Sequence, residues 1–243
     1  MPLAYLVGKR LVKRVIFVSS SGRSGSKALA AALDLPGVHS LHGPLPRVER
    51  ANCLHHRGQL QDPHATVRAA RKKLVIGTLR RDLHYVESSW FLCSLGAVLK
   101  DVFPGCRLIH LVRDGRDFVR SGMARPWFKN DRKYLAKPWS WSRDRWHPPP
   151  QANSRIAKIA WLWAAQQNSI AAHADSVLRL EDLIADGLVL SDLGLPMSTR
   201  VLLPRMNATE NHVIPRWPDW TAPMRADFDR WASPVLARYG YSW

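Results

Sequence analysis

The chain has 243 residues, enough for one α/β domain with a sizeable core that needs no disulfide or metal to hold it. Hydrophobic residues make up 46% of it and no apolar run is long enough to cross a bilayer, which argues against a disordered chain and a membrane-spanning one. The net charge of +17, with 26 arginines among 36 cations, predicts anionic ligands, although charge alone does not separate an enzyme of anionic substrates from a nucleic-acid binder.

The N-terminal segment and the cysteines indicate neither export nor a redox framework. Residues 1–14 lead straight into an apolar run without a small-residue cleavage pattern, so we expect no signal peptide and a cytoplasmic protein. Cys53, Cys93 and Cys106 are too few and too scattered for a disulfide framework or a four-ligand zinc site. We therefore expect three reduced thiols and no metal.

Short apolar runs alternate with helical stretches along the chain, which is the pattern of parallel strands joined by crossover helices. Strands are predicted at residues 15–19, 38–41, 74–78, 108–112 and 177–180. Helices are predicted at residues 27–33, 91–103, 117–123, 155–173 and 225–238. Because the strands are apolar throughout, they should be buried on both faces. We expect one three-layer α/β domain over residues 1–243, with a mostly parallel central sheet of about five strands flanked by helices.

The first motif follows the first predicted strand and reads Gly22-Arg23-Ser24-Gly25-Ser26-Lys27. Its glycines permit a tight turn around an anion, Ser24 is a candidate N-cap, and free N–H groups at the helix start complete a phosphate cradle. A nucleotide-triphosphate loop needs Gly-Lys followed by Ser or Thr, whereas here Ser26 follows the second glycine. A purely structural Gly-Ser turn is the alternative interpretation.

The second motif lies where the fourth predicted strand meets a helix and places Arg113 eight residues before Ser121. Arg113 stands at the carboxyl end of a buried strand, where open α/β sheets bind ligands, and Ser121 comes about two helical turns later. Both side chains could therefore hold one phosphate. Four charged residues between them are interpreted as a helix start with local ion pairs and are assigned no ligand role. They are Asp114, Arg116, Asp117 and Arg120.

Together the two motifs resemble those of the sulfotransferases that use 3′-phosphoadenosine 5′-phosphosulfate (PAPS), and the resemblance extends over most of the chain. In that family a loop of the type Arg-Ser-Gly-Thr holds the 5′-phosphosulfate, and an Arg and a Ser eight residues apart hold the 3′-phosphate. The resemblance implies a P-loop-like fold of the bacterial type. Weaker matches follow in the expected order at residues 85–89, 179–183, 206–207, 217–220 and 239–241.

The resemblance assigns the donor site residue by residue. The 5′-phosphosulfate would be bound by Gly22, Arg23, Ser24, Gly25, Ser26 and Lys27, and the 3′-phosphate by Arg113 and Ser121. Lys27 replaces a usual hydroxyl residue, so it either adds a cation to the 5′-phosphate or points to solvent. Leu180 stands where an aromatic residue often helps to hold the adenine.

Sulfuryl transfer needs in-line attack by an acceptor oxygen while negative charge grows on the oxygen that bridges to the 5′-phosphate. Arg23 is the expected catalytic cation, and fixed cations would take the place of a metal. Two residues are candidates for the base that accepts the acceptor's proton. Glu87 is expected on a turn after the third strand, with a carboxylate stabilised at a helix N-terminus as the alternative interpretation. His42 follows the second strand, with a hydrogen-bonded loop histidine as its alternative.

Residues 126–151 show neither helical nor strand periodicity and are rich in Trp, Arg and Pro, which indicates a long loop. We hypothesise an acceptor-site lid for a large apolar or anionic substrate, such as a glycolipid or a secondary metabolite. Packing of the loop aromatics onto the domain surface is the alternative. The residues concerned are Arg125, Trp127, Lys129, Arg132, Trp139, Trp141, Arg143, Arg145 and Trp146.

The sequence thus predicts an enzyme that transfers a sulfuryl group from PAPS to a hydroxyl of a small-molecule, lipid or glycan acceptor, without nucleic acid as a partner. An ATP-dependent small-molecule kinase is the nearest enzymatic alternative, which the broken triphosphate loop disfavours. A nucleic-acid-binding protein is the alternative that charge alone suggests.

Overall fold

The computed structural model describes residues 14–129, 146–206 and 209–242. Its strands are β1 (Val15–Ser20), β2 (Val38–His42), β3 (His84–Ser89), β4 (Arg107–Val112), β5 (Ser176–Arg179), β6 (Leu188–Val189) and β7 (Arg200–Val201). The first five form one sheet in the order β2-β3-β1-β4-β5, and all its neighbouring strands run parallel. The last two form a separate antiparallel pair. The predicted α/β class with a mostly parallel sheet is confirmed.

Helices cover both faces of this sheet. Those in the described residues are α1 (Ser26–Ala32), α2 (Glu49–His56), α3 (Pro63–Arg80), α4 (Gly96–Val102), α5 (Gly115–Met123), α6 (Arg155–Ala171), α7 (Leu180–Ala185) and α8 (Ala222–Arg238). Short 3₁₀ turns occur at Trp90–Leu92, Leu190–Leu193 and Trp217–Asp219. The longest helix, α3, starts with Pro63 after Asp62, whose side chain accepts the Ala65 N–H at 2.8 Å.

Each face of the sheet has its own core, because side chains alternate along a strand. From β1, Phe17 enters a core with Tyr85 and with apolar residues of α3 and α4. Ile16 and Val18 enter the opposite core, to which α1 and α7 contribute. A third cluster joins α5, α6 and α8. The sheet is therefore the middle of three layers.

The strand order places a ligand crevice between β1 and β4. The connection after β1 leads to β2 at one edge of the sheet, and the connection after β4 leads to β5 at the other edge. The two crossovers diverge from adjacent strands, and such a switch point leaves an open crevice at the carboxyl ends. Both predicted phosphate motifs lie at this crevice, one after β1 and one after β4.

The predicted third strand is wrong, because residues 74–78 belong to α3 and the third strand is β3. The apolar residues of α3 follow a helical period, with Val67, Ala70 and Val75 buried on one face. The true strand, His-Tyr-Val-Glu-Ser-Ser, is completely buried although at least four of its six side chains are polar or charged. The helix predicted at residues 91–103 is also divided, into the Trp90–Leu92 turn and α4.

Candidate functional site

The loop between β1 and α1 contains three closely spaced residues with positive φ angles. Gly22, Arg23 and Gly25 all have positive φ angles, of 74°, 54° and 80°. Glycine adopts such angles without steric cost, but Arg23 does not, so this position is locally strained. Ser24 is fully buried, and its hydroxyl donates to the Gly22 carbonyl at 3.0 Å. The loop therefore closes on itself through Ser24.

The start of α1 differs from the predicted one. Gly25, not Ser24, is the N-cap residue, and no side chain caps the helix. Ser26 is the first helical residue, and its carbonyl accepts the Ser88 hydroxyl at 2.6 Å, which ties the loop to β3. A Cβ atom at position 25 would overlap Leu180 Cδ1, so the first residue of α7 packs directly on the loop. Leu180 thus lies beside the predicted donor loop.

Arg113 is held at the end of β4 by its backbone. The buried indole of Trp163, on α6, donates from Nε1 to the Arg113 carbonyl at 3.1 Å. The same ring lies 2.8 Å from where a Cβ of residue 115 would stand, which explains the glycine that begins α5. Asp114 caps this helix by accepting the Arg116 N–H at 2.8 Å. The turn after β4 is therefore fixed on both sides.

The two motifs meet in space. The Arg113 guanidinium donates from Nη1 to the Arg23 carbonyl at 2.7 Å, and the Arg23 guanidinium donates from Nε to Ser121 Oγ at 3.0 Å. Thr209 joins them, because its hydroxyl lies 3.0 Å from Ser121 Oγ and accepts from Arg23 Nη2 at 3.1 Å. Two guanidinium groups and two hydroxyls thus converge from both motifs and from the segment after β7.

These residues line a cleft of about 1180 Å³. Within the described residues, seven cationic side chains face it against three carboxylates. The cations are Arg23, Lys27, Arg113, Arg120, Arg125, Arg205 and Arg216, and the carboxylates are Asp114, Asp117 and Glu210. Burial, together with the charges of Arg125 and Arg113, lowers the pKa of Arg23 to about 10. The cleft therefore has an excess of positive charge that an anionic ligand would neutralise.

The charged residues at the start of α5 form local pairs, as expected from the sequence. Arg116 forms an ion pair with Asp114, with Nη2 2.6 Å from Oδ2, and Arg113 lies 3.4 Å from Asp117. Arg116 also donates to the Ser242 carbonyl at 2.6 Å and lies 4.2 Å over the Trp217 ring. Arg116 thus joins α5 to the C-terminal part of the described chain.

His42 lies at the mouth of the cleft, near Lys27 and Trp90. Its Nδ1 is 2.9 Å from the Ser88 carbonyl, to which it donates, so the neutral ring carries its lone pair on Nε2. Burial is the main cause that lowers the pKa of His42, and the charges of Lys27 and Arg47 add to it. The hydrogen bond to Ser88 acts in the opposite direction. At neutral pH the imidazole is therefore an uncharged acceptor.

Glu87 is not where the sequence analysis expected it. It lies in the middle of β3 rather than on a turn, and both Glu87 and Arg71 are fully buried. The Glu87 carboxylate accepts from Arg71 Nε at 2.6 Å, from Arg71 Nη2 at 3.0 Å and from the Tyr85 hydroxyl at 2.7 Å. The expected turn and the alternative helix N-terminus are both wrong. The third strand was predicted at residues 74–78, which placed Glu87 after it, whereas Glu87 lies within the true third strand, β3.

The surroundings of Glu87 give it a structural part. Arg71 donates from Nη1 to the Pro46 carbonyl at 2.7 Å, so the ion pair joins α3, β3 and the segment after β2. Burial and the neighbouring Glu87 carboxylate raise the pKa of Tyr85, which keeps its hydroxyl protonated as a donor. Glu87 does not line the described cleft. Of the two predicted bases, the structure brings only His42 to the cleft.

Two solved structures share this fold over nearly the whole chain. The sulfotransferase domain of the Synechococcus PCC 7002 olefin synthase has a TM-score of 0.50 and 17% sequence identity, covering 97% of each chain. A sulfotransferase from Alicyclobacillus acidocaldarius has a TM-score of 0.52 and 16% identity, covering 94% of each chain. The chain has a sulfotransferase fold. No protein-family model matches the sequence, and no curated protein matches it.

Sequence reasoning missed two residues that shape the site of this sulfotransferase fold. Thr209 lies 88 positions after its partner Ser121, in a segment without secondary structure, and no spacing signal indicated it. No sequence signal linked Trp163 to the site, because its contact with the Arg113 carbonyl depends on the packing of α6 against α5. Asn207, part of a weaker sequence match, lies outside the described residues.

The predicted acceptor loop is described only at its ends, since residues 130–145 lie outside the described residues. That stretch includes Arg132, Trp139, Trp141, Arg143 and Arg145. A loop interrupted by prolines is not expected to bury its Trp residues in the core. This expectation is wrong for Trp127 and Trp146, at the two ends of the loop, because both are buried. Trp127 packs on Phe118 and Trp146 stacks on His56 with ring centroids 3.7 Å apart.

In the part of the chain that the structure describes, no group of three or more His, Cys, Asp or Glu side chains is arranged to hold a metal ion. None of its helices combines the length and apolarity needed to cross a membrane. Its three cysteines are free thiols.

Proposed function

We propose that the protein is a sulfotransferase that uses PAPS to sulfate a hydroxyl of a small-molecule, lipid or glycan acceptor. The observation that carries this proposal is the contact between the two motifs, in which Arg23 reaches Ser121 at 3.0 Å and Arg113 reaches the Arg23 carbonyl at 2.7 Å. A ligand with phosphate groups at two separate places suits such a pair of cationic motifs. A 3′-phosphate is what separates PAPS from ATP.

The electrostatics of the cleft support a ligand with several negative charges. Burial and two neighbouring guanidinium groups lower the pKa of Arg23 to about 10, so its charged form still predominates at neutral pH but is less stable than that of a free guanidinium, and an anion nearby would stabilise it. Seven cations against three carboxylates give the described lining a positive excess. Its volume of about 1180 Å³ is large enough for a nucleotide with an acceptor beside it. The residues present therefore fit PAPS.

Each residue has a defined part in this proposal. When bound, PAPS supplies a sulfuryl group whose departure leaves negative charge on the 5′-phosphate. Arg113 and Ser121 would hold the 3′-phosphate, and the Gly22–Lys27 loop would surround the 5′-phosphate. Arg23 would neutralise the growing charge, and the exposed side chain of Lys27 adds a second cation on the His42 side of the loop.

His42 is the base that fits acceptor activation. Its Nδ1 donates to the Ser88 carbonyl, which fixes the ring and leaves Nε2 as the proton acceptor. Because its pKa is lowered, the ring is uncharged at pH 7 and can take a proton from a hydroxyl. Turnover should therefore rise as pH increases through the pKa of His42 and stay level above it.

Ligand titrations test the proposal. We expect 3′-phosphoadenosine 5′-phosphate (PAP) to bind without metal, more tightly than ATP with Mg²⁺ and than a duplex oligonucleotide. Arg113→Ala should abolish most of this affinity, whereas Arg68→Ala, on the exposed side of α3 and outside the cleft, should preserve it. Isothermal titration calorimetry of each ligand measures the difference.

Two outcomes would support other functions. Preference for ATP with Mg²⁺ over PAP would contradict the proposal and favour a kinase. Binding of the duplex that weakens steeply with salt, with no response to either nucleotide, would favour a nucleic-acid-binding protein. If PAP binds as expected, turnover of labelled PAPS with a panel of phenols, sterols, lipids and glycans would identify the acceptor class.

A further inference from the structure

Arg125 lies just after the C-terminal end of α5, beside the second motif. Asp117 and Ser121 are one turn apart on one side of α5, while Arg113 precedes the helix and Arg125 follows its C-cap residue, Ala124. All four line the cleft. The Arg125 N–H donates to the Gly122 carbonyl at 2.9 Å, and the Arg125 carbonyl accepts from Arg155 Nη2 at 2.8 Å. Its backbone is therefore fixed one turn beyond Ser121.

The Arg125 guanidinium has an unusual environment. Its Nε is buried and has no hydrogen-bond partner among the described residues. It also lies close enough to Arg23 for its charge to lower the pKa of that group. A buried N–H without an acceptor is unfavourable, and a neighbouring like charge adds to the cost. An anion bound beside Arg125 would accept from this N–H and offset the repulsion between the two cations.

Other buried arginines of the chain show what a satisfied guanidinium looks like. Arg71 Nε donates to a carboxylate at 2.6 Å, and Arg155 Nε donates to the Trp127 carbonyl at 3.0 Å. Arg116 Nε donates to the Asp114 carboxylate at 3.0 Å. Each of these binds a group of the protein itself, so their role is structural. Arg125 differs because its buried Nε has no such partner and because the residue lines the cleft.

The surrounding groups indicate which anion fits. The hydroxyls of Ser121 and Thr209 lie 3.0 Å apart, and Arg23 donates to both. The two hydroxyls, with the Arg113 and Arg125 guanidinium groups that line the same cleft, match a phosphate monoester, which carries up to two negative charges and three terminal oxygens. A carboxylate offers only two oxygens and one charge. The chemistry of this corner therefore selects a terminal phosphate.

We infer that Arg125, with Thr209, is a specificity-determining residue for the terminal phosphate of the nucleotide and not part of an acceptor lid. The inference rests on the proposed function, in which that group is the 3′-phosphate. Arg125 then contributes affinity only to ligands that carry a 3′-phosphate. Nucleotides with a 5′-phosphate alone gain nothing from it.

Calorimetry with PAP and 5′-AMP tests the inference in the wild-type chain and in Arg125→Gln, Arg125→Lys, Thr209→Val and the control Arg68→Gln. We expect Arg125→Gln to weaken PAP about 10- to 100-fold and to leave 5′-AMP unchanged, since one charge-assisted hydrogen-bond donor is lost. Arg125→Lys, which keeps the charge but not the planar fork, should lose less. Thr209→Val should weaken PAP about 3- to 10-fold, and the control should bind as the wild type does.

The outcomes separate this inference from the proposed function. A wild-type chain that binds PAP no better than 5′-AMP would overturn both. A wild-type preference for PAP that persists unchanged in Arg125→Gln and Arg125→Lys would overturn only the role of Arg125. An unchanged PAP affinity with a raised KM for the acceptor would instead place Arg125 at the acceptor side. Thermal unfolding of each variant shows whether the chain is folded, and the lysine variant provides the test if the glutamine variant is not.

Discussion

Two groups of arginines in this molecule have opposite environments. Beneath β3, Arg71 is fully buried and donates to both oxygens of Glu87 and to the Pro46 carbonyl. In the cleft above β1 and β4, Arg23, Arg113 and Arg125 lie together among more cations than carboxylates. Arg71 is neutralised by a buried carboxylate, whereas Arg23 and Arg113 contact hydroxyls, a backbone carbonyl and the partly exposed Asp117 carboxylate, and the cleft lining keeps an excess of positive charge. The presence of a neutralising carboxylate, more than the depth of burial, therefore distinguishes the structural Arg71 from the arginines proposed to bind a ligand.

This difference also corrects the interpretation of a conspicuous acidic residue. Glu87 was assigned a catalytic role because it was expected on a turn after the third strand, where the family resemblance implies residues on the acceptor side. In the fold it is the counter-charge of Arg71, and both carboxylate oxygens accept hydrogen bonds. His42 meets the cleft instead, with Nδ1 engaged and Nε2 left as the acceptor. The comparison between a closed pair and an open cleft leads to four predictions.

The largest expected effect on stability comes from the buried Arg71–Glu87 ion pair. Arg71→Ala would leave the Glu87 carboxylate buried without its cation, so we expect the free energy of unfolding to fall by about 3–5 kcal/mol. Urea denaturation measures it. The double variant Arg71→Met with Glu87→Leu removes both charges and should recover most of the loss. Unchanged stability in Arg71→Ala, together with lost turnover, would contradict the structural role and favour a catalytic Glu87.

The second-largest expected effect is on the pH dependence of the free energy of unfolding, through the buried His110 of β4. His110 donates to Gln167 Oε1 and accepts the Tyr239 hydroxyl at 3.3 Å, and burial lowers its pKa to about 4. An unfolded histidine has a pKa near 6.5, so the unfolded chain binds the proton first as pH falls. His110 should therefore reduce the free energy of unfolding between pH 6.5 and 4, by up to about 3 kcal/mol.

Urea denaturation at several pH values checks this slope. His110→Gln should make the profile flatter in that interval, whereas His64→Gln, at an exposed helix position, should leave it as it is. A wild-type profile that is flat from pH 6.5 to 4 would show that the imidazole is accessible to protons in the folded state.

The third prediction concerns His42, which lines the cleft. His42→Gln keeps a hydrogen-bonding side chain but removes the base, so kcat should fall about 100-fold, equivalent to about 2.7 kcal/mol, while PAP affinity stays within about twofold. His39→Gln, on the same strand, is the matched control. A fall in PAP affinity as large as that in kcat would assign His42 to nucleotide binding and not to acceptor activation.

The smallest effect is expected where the loop contacts α7. Gly25→Ala places a side chain at a positive φ and against Leu180, so we expect stability to fall by about 1–2 kcal/mol and PAP to bind more weakly. Adding Leu180→Ala should relieve the overlap but not the backbone strain. Equal PAP affinity in all three chains would show that the position of this loop does not govern binding.

Local patterns in the sequence predicted the parts of the site that are local. The Gly22–Lys27 loop and the Arg113–Ser121 spacing each lie within one strand-to-helix unit, so both could be located without knowledge of the fold. The α/β class with a parallel sheet also follows from the alternation of apolar runs and helices, whereas the strand order that brings the two motifs together was not predicted. That alternation depends on local residues alone.

The remaining parts depend on contacts between distant segments. Glu87 is intelligible only with Arg71, because a charged residue in a buried strand contradicts the usual pattern unless its partner is known. Residues 74–78 are equally apolar in a helix or a strand, and only their neighbours along α3 decide. Thr209 belongs to a segment without periodicity that meets Ser121 through tertiary packing.

The bond between the Trp163 indole and the Arg113 carbonyl has a thermodynamic consequence for ligand binding. The turn that carries Arg113 is held by a buried ring and a capped helix before any nucleotide arrives. Little conformational entropy then remains to be lost at this corner when a phosphate binds. Replacement of Trp163 by Phe, which keeps an aromatic side chain but removes the donor and part of the packing on Gly115, should make nucleotide binding entropically less favourable at nearly unchanged enthalpy.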